Sequence, residues 1–288
     1  MALSALHSDI GIVKSAALKG SWKKTQPHPV LFRFSKHAQE RNRKTGGYTV
    51  SAHCLKQACN HEEKTTDFGL TDKVAVVTGA SAGIGLAVAR GLAAEGADLV
   101  LVARQAERLN EAAQALSSEF GIRAVGAAAD IATSGGVDAV LEMTTREFGG
   151  ADILINNAGT GSNETIMEAD DSKWQFYWDL HVMAAVRLAR GLVPGMKSRG
   201  GGVILHNASI CAAQPLWYEP IYNVTKAALM MFSKTLSTEV IKDNIRVNYV
   251  NPGLILTPDW IKTAKQLTEE TGGDWEAYLQ SVADSMEF

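Results

Sequence analysis

The chain has 288 residues, 46% of them apolar, and a formal net charge of −3, enough to bury one large core or two small ones. The charge balance leaves no global basic excess for nucleic acid, and no run of 18 or more apolar residues is present to span a membrane. Three cysteines with no C-x-x-C pair suit a reducing compartment and supply no disulfide framework.

Residues 1–66 differ in composition from everything that follows. The first sixty hold ten Lys/Arg against two acids, Asp9 and Glu40, with no sustained apolar period. Such a segment buries little and is expected to be a disordered N-terminal extension. Two readings stay open: an extension without a targeting role on a cytoplasmic protein, or a transit peptide, which its basic, acid-poor character resembles, leading to an organelle matrix or stroma. His53-Cys54 and Cys59-Asn60-His61 gather two Cys and two His. Their spacing matches no common structural zinc site, and no metal is expected.

From Lys73 onward apolar runs alternate with amphipathic stretches, the pattern of a parallel α/β sheet. Strands are predicted at 74–77, 98–102, 123–128, 153–156, 202–206 and 246–250, and helices at 83–95, 105–119, 134–148, 171–192 and 221–241. Right-handed crossovers make this a doubly wound (Rossmann) domain over 67–288, six strands in the order 3-2-1-4-5-6, with a ligand crevice at their carboxyl ends.

The first strand, Val74-Ala-Val-Val-Thr78, runs into Gly79-Ala80-Ser81-Ala82-Gly83-Ile84-Gly85 and then into helical spacing. Glycines in such a turn let the backbone approach a pyrophosphate lying at the N–H groups of the helix start. Further on, Tyr222 follows Ser209 by thirteen residues and precedes Lys226 by four. On a helix, i and i+4 share a face. A free tyrosine has a pKa of about 10, and an ammonium beside it favours the phenolate, which brings the phenol nearer to acid/base work at neutral pH.

These motifs resemble, in order, those of the short-chain dehydrogenase/reductase family: T-G-x-x-x-G-x-G at Thr78–Gly85, N-N-A-G at Asn156–Gly159, Ser209, Y-x-x-x-K at Tyr222–Lys226, and P-G at Pro252-Gly253 with Thr257 four residues on. The resemblance covers roughly Leu70 to Trp260. It implies that Ser209 orients a substrate oxygen, that Tyr222 exchanges its proton, and that Lys226 holds the nicotinamide ribose and lowers the tyrosine pKa. It also implies cofactor contacts from Gly79, Ser81, Gly83, Ile84, Gly85, Asp130, Ile131, Asn157, Ala158, Gly159, Pro252, Gly253 and Thr257, with Asn157 tying the central strands together. Asp130 serves equally well as a cap for helix 134–148. The family's seventh strand has no counterpart: nothing after Asp259 reads as a strand, 257–288 resembles a substrate-covering segment, and the sheet is expected to end on an apolar edge at 246–250.

Cofactor choice turns on the end of the second strand, Ala103-Arg104. An acid there would bind a ribose 2′-hydroxyl and repel a 2′-phosphate; its absence, with a guanidinium next in line, favours NADP(H). Arg104 also reads as a solvated residue at a helix start. Where the family usually has an Asn that helps hold a water beside the lysine, this chain has His181. It either continues a proton relay, adding a titration near 6.5, or merely packs. Cys211 reads as a pocket-wall side chain. Leu216, Trp217, Tyr218, Trp260, Trp275 and Tyr278 build either an apolar pocket or core; as a pocket they fit a 3-oxoacyl chain, cyclic ketone or steroid-like alcohol. The expected function is an NADP(H)-dependent reductase or dehydrogenase acting on a small-molecule carbonyl or alcohol. A cofactor-binding, catalytically poor regulatory or scaffold protein is the alternative. A homodimer is expected across the helical faces bearing Trp174, Val182, Ala185 and Met230.

Overall fold

A computed structural model describes residues 40–41, 48–49, 67–161, 164–216, 219–253, 255–269 and 272–285. The chain divides into two units, Met1–Thr65 and Thr66–Phe288. In the first, Glu40–Arg41 and Tyr48–Thr49 pair antiparallel. The disorder expected of 1–66 and the His53/Cys54/Cys59/His61 cluster otherwise fall outside the described residues.

The second unit is built on six parallel strands, β1 Val74–Thr78, β2 Asp98–Ala103, β3 Ala124–Ala128, β4 Ile153–Asn156, β5 Gly202–Asn207 and β6 Ile245–Val250, in the order β3-β2-β1-β4-β5-β6. Every residue of β1 is buried. That is why β1 reads as a continuous apolar run: helices cover both faces of a parallel sheet. Successive side chains point to opposite faces. Ala75 and Val77 pack with Leu99 and Leu101 under α1 Gly83–Ala94 and α2 Ala106–Phe120. Val74 and Val76 pack with Val100 and Leu154 on the other face, against α3 Ser134–Phe148 and α5 Ala184–Ser198. The strand order reverses between β1 and β4, which opens the crevice there.

Helix 171–192, expected as one piece, is three. α4 Asp171–Trp178 passes into a five-residue π turn, Asp179–Met183, before α5. Such turns are rare and concentrate at functional sites; this one carries His181. Two members of the expected pairing face, Val182 and Ala185, are buried inside the subunit; Trp174 and Met230 are half-buried, and Phe176 and Trp178 on α4 and Val224 and Met231 within 220–240 are exposed. α6 Pro220–Val240 carries the Tyr/Lys pair, and α7 Pro258–Glu269 and α8 Trp275–Ser285 follow β6.

At the strand N-termini, opposite the crevice, Asp152 fastens three elements. Its Oδ2 accepts from the Val74 amide at 2.9 Å and Arg199 Nη2 at 2.8 Å, and its Oδ1 from Arg199 Nε at 3.0 Å. Burial alone would raise the Asp152 carboxyl; Arg199, the Val74 amide and Lys73 together hold it below its ordinary value. Among the described residues no helix is long and apolar enough to cross a membrane.

Candidate active site

At the carboxyl end of β1 the chain turns through Gly79 (φ +68°) and Gly83 (φ +56°), left-handed backbone that favours glycine. A Cβ on Gly85 would stand 2.3 Å from the Gly79 carbonyl oxygen and 2.5 Å from Asn157 Nδ2, so α1 packs against the strand ends only without a side chain there. Ala82 gives α1 no side-chain cap, and its first turn holds no acid. Uncapped N–H groups at a glycine turn fit the pyrophosphate of a dinucleotide. Thr257 closes over the turn: its Cγ2 would lie 3.5 Å from a Cβ on Gly83, and its Oγ1 accepts from the Trp260 amide at 3.3 Å, capping α7. Ser81, Ile84 and Gly253 line the same end, half-buried. The Pro252 carbonyl accepts from the Ile210 amide at 3.0 Å.

Asn157 ties three strands together. Its Nδ2 donates to Thr78 O at 2.9 Å, its amide to Thr78 Oγ1 at 2.9 Å, and its Oδ1 accepts from Asn207 Nδ2 at 2.8 Å. The Ala158 amide also donates to Thr78 Oγ1, at 3.0 Å. This lock holds Gly159 and Thr160 where β4 ends.

Around them the expected catalytic set converges. Lys226 is almost fully buried, and its Nζ donates to Asn207 O at 2.8 Å; burial pulls it from 10.5 down to about 8. The ammonium lies 5.3 Å from the centre of the Tyr222 ring, as the i, i+4 spacing on α6 requires. Ser209, at the end of β5, is buried, and its Oγ accepts from the Cys211 amide at 3.2 Å. That bond occupies a lone pair and leaves the hydroxyl proton for another acceptor. His181 is buried edge-to-face against Tyr222, ring centres 5.5 Å apart. A Cβ on Gly159 would meet His181 Nε2 at 3.1 Å and Lys226 Nζ at 3.5 Å, so both nitrogens border one gap.

The titration expected of His181 near 6.5 is overturned. Burial, with the Lys226 charge, drives it well below that value and the ring stays neutral. His206, buried in β5 with Nδ1 3.2 Å from Asn156 Nδ2, is pushed down to about 4 by burial and then by Lys226. Burial, with Glu219 adding, raises Cys211 and keeps it a thiol.

Polar groups stand at the mouth of the site, beside Gly161. Glu219 Oε1 would stand 2.5 Å from a Cβ on Gly161, and Tyr177 Oη donates to Gly161 O at 2.8 Å. Burial, Glu164 and Glu219 raise the Tyr177 phenol. Trp217 and Tyr218 lie outside the described residues. Trp275 stands under the Lys265 ammonium, 5.0 Å from its ring centre. Arg104 is exposed just past β2. Asp130 is exposed and bonds the Ala132 amide at 3.1 Å, while the cap of α3 is Thr133, whose Oγ1 accepts from the Gly136 amide at 3.0 Å. Ile131 is buried. Thr160, Glu219 and Thr225 are the members that sequence reasoning missed.

A family model described as short chain dehydrogenase matches residues 73–268. The chain belongs to this family. Its fold binds a nicotinamide cofactor, and its members are oxidoreductases. The chain is 75% identical to L-sorbose reductase from Gluconobacter frateurii, solved with NADPH and L-sorbose, with a TM-score of 0.74 over 76% of this chain and 83% of that one. It is 35% identical over 189 residues to dehydrogenase/reductase SDR family member 4 of Homo sapiens, covering 65% of this chain and 68% of the relative. An NAD+-bound xylitol dehydrogenase superposes with a TM-score of 0.64 at 27% identity, over 68% of this chain and 76% of that one.

Proposed function

We propose that the protein reduces a polyhydroxylated ketone of the L-sorbose class with NADPH, and oxidises the corresponding polyol in reverse. The observation that carries the chemistry is the gap at Gly159. A buried ammonium, a neutral imidazole and the Tyr222 ring meet beside the glycine turn, with Ser209 at the adjacent strand end.

Ser209 directs its hydroxyl proton to the substrate oxygen. Tyr222 gives that oxygen its proton, and Lys226, anchored on Asn207 O, favours the phenolate left behind. The glycine turn, Gly159 and Thr257 would hold a dinucleotide, whose nicotinamide would supply the hydride to the carbonyl carbon. Arg104, past a β2 end that lacks an acid, suits the 2′-phosphate of NADPH.

The substrate class departs from the apolar one expected. Glu219 puts a carboxylate acceptor beside Gly161, and Tyr177, whose proton goes to Gly161 O, adds an oxygen that can accept, both suited to hydroxyl groups. The 75% identical relative was solved with a ketose. The test is NADPH consumption with L-sorbose, other ketoses and an apolar cyclic ketone. L-Sorbose should exceed the cyclic ketone in kcat/KM by at least about tenfold, a difference of about 1.4 kcal/mol. Preference for the cyclic ketone would restore the apolar reading. Cofactor binding without turnover of any of these would favour the regulatory one.

A further inference from the structure

Three hydrogen bonds run through His181 in series. The Thr160 amide donates to Nε2 at 3.3 Å, Nδ1 lies 2.8 Å from Thr225 Oγ1, and Thr225 Oγ1 donates to the Tyr222 carbonyl at 3.0 Å. Both ends are main chain, and each has one possible role: an amide N–H only donates and a carbonyl oxygen only accepts. The directions between them follow. Nε2, receiving an N–H, carries a lone pair, so the ring proton is on Nδ1. The Thr225 hydroxyl has one proton and spends it on Tyr222 O, so it accepts from Nδ1. Thr225 is fully buried, and no solvent competes for this hydroxyl.

We infer that Thr225 is a positioning residue: by linking the imidazole to the main chain of Tyr222, it fixes His181 as the Nδ1–H tautomer and holds Nε2, its lone pair accepting from the Thr160 amide, at the border of the gap shared with Lys226. The inference rests on the reductase reading for its catalytic consequence, but the tautomer is a property of the protein without ligand. A ring with its proton on Nε2 would set that N–H against the Thr160 N–H, donor against donor. Thr225 lies one residue before Lys226 and three after Tyr222, so one turn of α6 carries the phenol, the ammonium and the group that orients the imidazole.

The test is nitrogen NMR of protein with ¹⁵N-labelled histidine at pH 7, comparing wild type, Thr225→Val and Thr225→Ser. His181 in the wild type should show a protonated Nδ1 and an unprotonated Nε2. Thr225→Val keeps the shape but removes the acceptor; it should populate the other tautomer and lower kcat by about one to two orders of magnitude, the order of cost of a misplaced group. Thr225→Ser should restore both. An Nε2–H or doubly protonated His181 in the wild type overturns the inference whether or not the variants fold. So does a Val variant with unchanged tautomer or unchanged kcat. If the tautomer is as inferred and no ketose is reduced, the substrate reading fails alone; if ketoses are reduced and the tautomer is reversed, this inference fails alone.

Discussion

Lys226 is a buried ammonium that donates to Asn207 O, and the cost of burying it should be visible in the pH dependence of stability. Its pKa falls from 10.5 to about 8 on folding. Each tenfold change in proton affinity is worth about 1.4 kcal/mol, so the full effect is about 3 kcal/mol. Between about 8 and 10.5 the unfolded chain binds the proton more tightly than the folded one, and stability rises with pH through that window. Below about 8 both states carry the charge and the desolvation cost is complete. Lys226→Met removes the titration, so wild type minus variant cancels every group that Lys226 does not itself influence. Urea unfolding followed by tryptophan fluorescence, at intervals from pH 7 to 10.5, should show that difference rising by about 3 kcal/mol in favour of the wild type. Loss of the bond to Asn207 O shifts the whole curve but not its slope. A difference that stays flat would mean that the ammonium is solvated or paired, and the burial argument would fail.

Three other outcomes are expected. Tyr222→Phe should bind NADPH normally and lose about two or more orders of magnitude in kcat, the size of a general acid/base contribution; near-normal turnover would place the chemistry elsewhere. NADPH should bind at least about tenfold more tightly than NADH, or about 1.4 kcal/mol, and titration calorimetry of Arg104→Ala should show most of that gap gone. Asp152→Ala should cost about 3 kcal/mol in urea unfolding, because it strands the Val74 amide and Arg199; the wild-type advantage should fade as pH falls below about 3.8, since a depressed carboxyl stabilises only while ionised.

What the sequence disclosed follows physical periodicity. β1 and β2 were legible because two-sided burial writes unbroken apolar runs, and the glycine turn because left-handed backbone leaves little but glycine. The π turn left no such mark, since widening one turn of a helix does not change which residues are apolar. Thr225 was hidden inside the spacer of a motif recognised by its ends, although a threonine three residues after a helical tyrosine is a signal for a bond back to that carbonyl. Thr257-Pro258 carried an N-cap and a proline at the first helical position, the mark of α7. The neutrality of His181 depends on burial by three separate elements, which no local window contains.

The π turn also limits how this enzyme tolerates length changes. Asp179–Met183 holds one residue more than the same rise of α-helix would need. Deleting any one of the five would remove that extra residue and heal the helix, leaving α4 and α5 in their present relation, whereas a deletion outside the turn would rotate one segment against the other by about 100°. Only the residues of the turn would be re-aimed: His181 would leave the Thr160–Thr225 chain, while Tyr177 on α4 would keep its bond to Gly161. Single-residue deletions across this helix should therefore separate into those that displace only the imidazole and those that rotate one segment against the other, with the boundary falling at the turn rather than at any residue that touches substrate.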